Sequence, residues 1–179
     1  MLILSKKSRF GLHGIAYIAA FSRGAPVPFD DIFAYLRNYA GRLILSSGYL
    51  AKIFQAISRA GLTVSAPGPR GGYALARPAE TIRLIEVVQA LDGPLQSGCC
   101  LSMGACPLES ACGVRVVVGG AERAFCDMLE NETVAMLVRK MAFPATVRDT
   151  APSKLTPGPA RKPARKPAPK PAKRRVRSA

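Results

Sequence analysis

The stretch Ser46–Pro78, SSGYLAKIFQAISRAGLTVSAPGPRGGYALARP, decides the fold. Leu50, Ile53, Phe54 and Ile57 recur at helical spacing, so its first half reads as an amphipathic helix. Ser46 or Ser47 is placed to cap the start and Gly61 to stop the end. The period then changes. Leu62-Thr63-Val64-Ser65 reads as a strand, Pro67–Gly72 as a turn with Arg70 at its tip, and Tyr73-Ala74-Leu75 as the returning strand.

Upstream, Leu12, Ile15, Ala16, Ala19 and Ala20 mark one face of a helix over about residues 9–22, ended by Gly24-Ala25-Pro26. Phe29, Ile32, Phe33 and Leu36 predict a second, shorter helix. Three helices followed by a two-stranded hairpin is the order of a winged helix-turn-helix, whose third helix enters the major groove while the wing touches the backbone or minor groove. The apolar face of that third helix is used by the core. Its other side, opening with Ser46, carries Ser47, Tyr49, Lys52, Gln55 and Arg59, all able to donate to phosphates or base edges. Polar faces are also the default for surface helices. Arg70 on the hairpin and the net positive charge tip the reading toward double-stranded DNA.

Downstream, Ile85, Val88 and Leu91 predict a helix over 82–91, ended by Asp92-Gly93-Pro94. Val117, Ala121, Ala124, Phe125 and Met128 predict a long one reaching about Lys140, with Gly119-Gly120 inside it. Between them lies a segment without helical period that holds Cys99, Cys100, Cys106 and Cys112; the fifth cysteine is Cys126. Clustered thiols in a cytoplasmic protein with its own apolar core bind metal or do redox chemistry more often than they form disulfides. Three thiolates spaced Cys100-x5-Cys106-x5-Cys112 can wrap an iron–sulfur cluster, which soft ligands select. Structural zinc, which would want a fourth well-spaced ligand, and unligated redox thiols are the other readings.

The chain has 179 residues, 26 Lys+Arg against 11 Asp+Glu, and a formal net charge of +15. Residues 152–179 hold ten of the basic residues, none of the acidic ones and seven of the 15 prolines. That composition has nothing to repay the entropy of ordering, so a disordered arm biased to polyproline II is expected there. The first 151 residues keep a modest excess of 16 basic over 11 acidic residues, enough chain for one or two small domains. The longest apolar stretch, Gly14–Phe21, is far short of the roughly 20 residues that span a bilayer. Lys6, Lys7 and Arg9 before it are reminiscent of a signal peptide, but His13 interrupts the segment and no clean cleavage site follows. A cytoplasmic location and no membrane partner are expected. One histidine and no Gly-rich phosphate loop leave neither a Ser/His triad nor a nucleotide site, so no enzyme is expected.

The strings Tyr49-Leu50-Ala51-Lys52-Ile53, Ala60-Gly61-Leu62, Gly71–Pro78 (GGYALARP) and Val87–Pro94 (VVQALDGP), in this order, resemble the Rrf-type family of bacterial winged-helix transcription regulators, with its IscR- and NsrR-like members. The resemblance covers about residues 3–140. It implies a mainly α fold with a small β-hairpin wing: a winged helix-turn-helix (1–94), a cysteine cluster-binding loop (95–113), a dimerisation helix region (114–150) and the basic tail (151–179). It further implies a homodimer on a near-palindromic operator, and Cys100, Cys106 and Cys112 as ligands of a 2Fe-2S or 4Fe-4S cluster that senses nitric oxide, redox or iron status, the regulator being a repressor. The string Cys106–Cys112 (CPLESAC) looks most like the NsrR-type branch.

The fourth ligand departs from the family pattern. Where NsrR-like members carry an acidic residue this chain has Arg9, and where IscR-like members carry histidine it has Arg115. His13, one turn after Arg9, resembles the ligand that some two-iron members supply from the partner subunit. Cys99 reads as a spare or a redox partner, Cys126 as packed core, and Glu109 or a small molecule stay open as ligands. Asn38–Leu45 (NYAGRLIL) is longer than the family's usual turn, which fits either a phosphate contact from Arg42 within it or an extended second helix. Two other functions fit parts of the sequence: a linker-histone-like architectural DNA-binding protein, which leaves the cysteines without a role, and a cluster-free regulator that responds through thiol oxidation.

Overall fold

The computed structural model describes residues 4–22, 24–39, 45–68, 71–95 and 111–143. Arg42, Arg70, Cys99, Cys100, Cys106, Glu109 and the tail from residue 151 lie outside them. Helix α1 spans Lys6–Phe21, α2 Phe29–Tyr39, α3 Ser47–Arg59, α4 Leu84–Asp92, α5 Gly113–Asn131 and α6 Val134–Lys140. Strands β1 (Val27–Pro28), β2 (Thr63–Ala66) and β3 (Gly72–Leu75) form one antiparallel sheet in the order β1-β3-β2. This is a winged helix, mostly helical with a small sheet.

Ile15, Ile18, Ile32, Leu36, Leu50, Phe54, Ile57, Leu62, Val87 and Val88 are fully buried, so the residues at helical spacing do meet in one core. Helices α2, α3, α4 and α6 and strand β3 close around α1. Its Gly14 lets α3 approach: a Cβ there would stand 2.7 Å from the Phe54 ring.

The wing has a third strand that the sequence reading lacks. Val27 pairs with Tyr73 and Pro28 with Gly72, while β2 and β3 run in register from Thr63↔Leu75 to Ala66↔Gly72. Two residues carry too little periodicity to read as a strand. Their trace is on β3 instead. A Cβ on Gly72 would lie 2.0 Å from the Val27 carbonyl oxygen, so glycine is required where β1 crosses.

The long helix expected to reach Lys140 is two helices. Glu132 and Thr133 are extended (ψ 136° and 165°). There the chain bridges to Arg83: Leu84 N donates to Glu132 O at 2.9 Å and Val134 N to Ile82 O at 2.9 Å. Thr133 then caps α6, its hydroxyl accepting from Met136 N. The break is tertiary, since the Gly119-Gly120 pair remains helical within α5. Through it α6 folds back on α1, with Val134 fully buried in the same core.

Candidate DNA-reading face and cysteine segment

Helix α3 starts where the sequence places its cap. Ser46 is extended and its hydroxyl oxygen accepts from Tyr49 N at 3.2 Å. Ser46 is therefore the cap and Ser47 the first helical residue. At the other end Gly61 N donates to Ser58 O and Leu62 N to Ile57 O, with Gly61 at φ 73°. Between these stops Leu50, Ile53, Phe54 and Ile57 point into the core. Tyr49, Lys52, Gln55 and Arg59 are exposed and share the opposite side. Ser47 is exposed too but lies about 160° round the axis from Tyr49, off that stripe. Arg59 sits about 10 Å along the axis beyond Lys52, its Nε donating to Gln55 O at 3.3 Å. The stripe thus offers an aromatic hydroxyl and an ammonium near the helix start and a guanidinium near its end.

The wing is fixed to this helix from inside. Tyr73 of β3 lies against Phe54 of α3, ring centroids 4.7 Å apart, and its other side meets Phe29 at 6.3 Å. Burial raises the Tyr73 hydroxyl above its usual range. Ser58 at the end of α3 and Thr63 at the start of β2 share a hydrogen bond of 2.8 Å. Strands β2 and β3 cannot swing without breaking these contacts, so both are held in place against α3.

Of the expected cluster ligands, the described residues include Cys112 and His13. Cys112 is a free, half-buried thiol at the start of α5, and its carbonyl accepts from Val116 N. His13 is exposed on α1, one turn from the exposed Arg9, and desolvation by the groups around its ring lowers its pKa. Among the described residues no three His, Cys, Asp or Glu side chains converge on a metal-sized site. Cys126 packs half-buried against the core, as its sequence position indicates, and burial together with Glu130, Asp127 and Glu122 raises its pKa. Raised pKa makes it a poor thiolate and a poor ligand.

Helix α4, the last described helix before the cysteine segment, ends at Asp92, a residue the sequence reading used only as a helix stop. Its carboxylate accepts from Ser8 Oγ at 2.6 Å and Ser5 Oγ at 2.7 Å, with Lys7 Nζ at 3.3 Å. Lys7 also donates to the Leu91 carbonyl at 2.8 Å. Burial pushes the Asp92 carboxyl up, but the two hydroxyls and the Lys7 charge outweigh it and hold it below the usual carboxylate range. The signal was available: a Ser-x-x-Ser pair at a helix start seeks an acceptor.

Helix α5 carries a different kind of surface. Leu129 is buried and Phe125 and Cys126 pack on the core, while Val114, Val116, Val117, Val118 and Met128 are exposed, Val117 to 74 %. Val114, Val117, Val118, Ala121 and Met128 fall on one side of the helix, and this apolar stripe has no cover among the described residues.

Comparison with known proteins agrees with this architecture. Residues 4–140 match the family model Rrf2, an iron-dependent transcriptional regulator. IscR of Vibrio vulnificus, an HTH-type transcriptional regulator, is 30% identical over 135 residues, covering 75% of this chain and 76% of its own. Protein aau3 of Rhizobium meliloti is 35% identical over 138 residues, 76% of this chain and 84% of its own. Among solved structures, the global cysteine regulator CymR of B. subtilis superposes with a TM-score of 0.64 at 25% identity, over 79% of this chain and all of its own. S. aureus CymR, solved also in an oxidised form, gives 0.57 at 26% identity over 78% of this chain and all of its own. The matched family and IscR are transcriptional regulators and not enzymes, and no helix among the described residues is long and apolar enough to cross a membrane. With its winged helix, capped reading helix and family match over residues 4–140, the chain belongs to the Rrf2 family of DNA-binding transcriptional regulators.

Proposed function

We propose that the protein is a homodimeric repressor that reads an operator with α3 and the wing, and senses its signal through an iron–sulfur cluster. The observation that carries the reading head is the division of α3: its apolar face is wholly spent on the core, while Tyr49, Lys52 and Arg59 are exposed on the other. Ser46, Ser47, Tyr49 and Lys52 lie in the first turns, which approach base edges, and Arg59 and Arg70 suit phosphates. Such a helix reads half a site, and the uncovered apolar stripe of α5 fits a second copy of the chain.

The chemistry of the donor set favours a cluster. Cys100, Cys106 and Cys112 supply three soft thiolates, and His13 of the partner subunit is the proposed fourth ligand. A bound cluster with one weakly held iron supplies a point of attack for nitric oxide or oxygen. Asp92 and Cys112 frame the segment, so a change in it would be felt at the starts of both α1 and α5. Anaerobic purification tests this: about one cluster per subunit with visible absorption is expected, and nitric oxide should lower operator affinity. A colourless, iron-free protein from strictly anaerobic cells would overturn the cluster.

The oxidised form of S. aureus CymR favours one second reading, a cluster-free thiol switch. In that case peroxide alone would change operator affinity of the iron-free protein.

The tail adds affinity without adding specificity in this scheme. Its ten basic residues should steepen the salt dependence by about 0.9 in log–log slope per phosphate neutralised. Removing residues 152–179 should weaken binding to all DNA alike; loss of operator preference would make the tail part of the reading head.

A further inference from the structure

Tyr49 is the most exposed-facing aromatic of the reading helix, and one neighbour limits where its ring can go. Phe10 of α1 meets it edge-on, centroids 6.4 Å apart and planes at 83°. That is the favoured T-shaped arrangement, in which the edge of one ring meets the face of the other. Phe10 itself is half-buried against the core. Its place along α1 is set on both sides: Gly14 seats α1 on Phe54 of α3, and Ser5 and Ser8 tie the α1 N-terminus to Asp92 of α4. The Tyr49 backbone is held independently, its N–H bound to the Ser46 cap.

We infer that Phe10, which faces no DNA in this reading, is a positioning residue for sequence recognition: it fixes the Tyr49 ring so that its hydroxyl is presented to the operator. The inference rests on the DNA-reading role of α3. An exposed tyrosine has several side-chain rotamers, and selecting one in advance removes an ordering cost from binding. The benefit falls on the operator, where the hydroxyl has a defined partner, and not on unrelated DNA, where charge dominates. It also places α1, the helix that bears His13, in direct side-chain contact with a base-reading residue.

The test is a double-mutant cycle on the full-length protein. An operator is first selected from random DNA. Affinities of wild type, Phe10→Leu, Tyr49→Phe and the double variant are then measured for that operator and for an unrelated duplex. Phe10→Leu keeps an apolar side chain against the core but removes the ring. It should weaken operator binding about fivefold. Affinity for unrelated DNA should stay the same, and the effect should vanish in the Tyr49→Phe background; Phe10→Tyr should restore most of the loss. Equal weakening on both duplexes, or additive losses in the cycle, would overturn the positioning role. A wild-type protein that selects no sequence would instead overturn the reading head itself.

Discussion

Helices α3 and α5 are both amphipathic, yet they dispose of their apolar residues in opposite ways. In α3 every large apolar side chain of the periodic set is buried in the chain's own core, and what remains outside is polar. In α5 Leu129 is the one buried residue, and four valines and Met128 are exposed. The first pattern makes a finished domain with a face free to meet a polyanion. The second leaves an apolar face that no described residue covers, unfinished in the sense that such a surface suits an interface with the proposed second copy. The same periodicity therefore means core in one helix and, in the proposed dimer, partner in the other, and only packing separates them.

One substitution placed on both helices breaks the comparison. Ile53→Glu buries an unpaired carboxylate in the core, where Ile53 is 2 % exposed. We expect loss of at least about 4 kcal/mol, enough to unfold a domain of this size, seen as a lost cooperative melt. Val117→Glu should leave the fold of each chain intact by circular dichroism. It puts a charge on each side of the proposed α5 interface and should weaken dimerisation at least about a hundredfold by sedimentation. If Val117→Glu melted like Ile53→Glu, or left a dimer intact, α5 would not be the unfinished face.

The finished half has its own tight point. Gly14→Ala places a methyl 2.7 Å from Cζ and 3.1 Å from Cε2 of the Phe54 ring, which is itself fully buried and packed at a tilt against Tyr73. The buried ring must shift or α1 must move off α3, at a cost of about 1–3 kcal/mol. A midpoint shift in urea unfolding measures it. If α1 moves, the variant should also lose operator affinity, because Phe10 moves with it away from Tyr49. A stability loss without any change in binding would separate core packing from the reading face.

Most of this was legible in residues with a period. The apolar sets of α1 to α4, the Ser46 cap and the Gly61 stop all report local physics, and local physics is written in adjacent residues. What escaped is tertiary. Strand β1 is two residues long and exists because β3 leaves glycine opposite it. The break at Glu132-Thr133 is made by hydrogen bonds to Ile82 and Leu84, some 50 residues away in sequence, and no composition change announces it. At the candidate site the α3 stripe followed from counting, whereas the Asp92 contacts join residues 84 and 87 positions apart. The proposed ligand roles of Cys100, Cys106 and Cys112 rest on thiol chemistry and resemblance, and that of His13 on resemblance alone; Cys100 and Cys106 lie outside the described residues.

Asp92 stands at the end of α4 against the start of α1, and it gives the smallest but most specific effect. Its carboxylate is depressed because the Ser8 and Ser5 hydroxyls and Lys7 favour the ionised form over the cost of burial. Glu86 is depressed in the same sense, through Arg83 N and the Arg77 guanidinium. A carboxyl with a lowered folded pKa stabilises the fold above its unfolded pKa. That contribution is lost as pH falls through the folded value. Asp92→Asn retains one acceptor oxygen but faces the second hydroxyl with an N–H2 and loses the charge. It should cost about 1–2 kcal/mol near pH 7. The gap from wild type should close as pH drops below the carboxylate range, where Asp92 is itself neutral. Lys7→Ala should cost under about 0.5 kcal/mol, because its ammonium is 46 % exposed and well solvated. The comparison predicts one thing more: Asp92→Asn should leave the proposed dimerisation through α5 unchanged, since its partners among the described residues, Ser5, Ser8 and Lys7, lie on or beside α1. A dimer weakened in step with the fold would show that the end of α4 couples the finished face to the unfinished one.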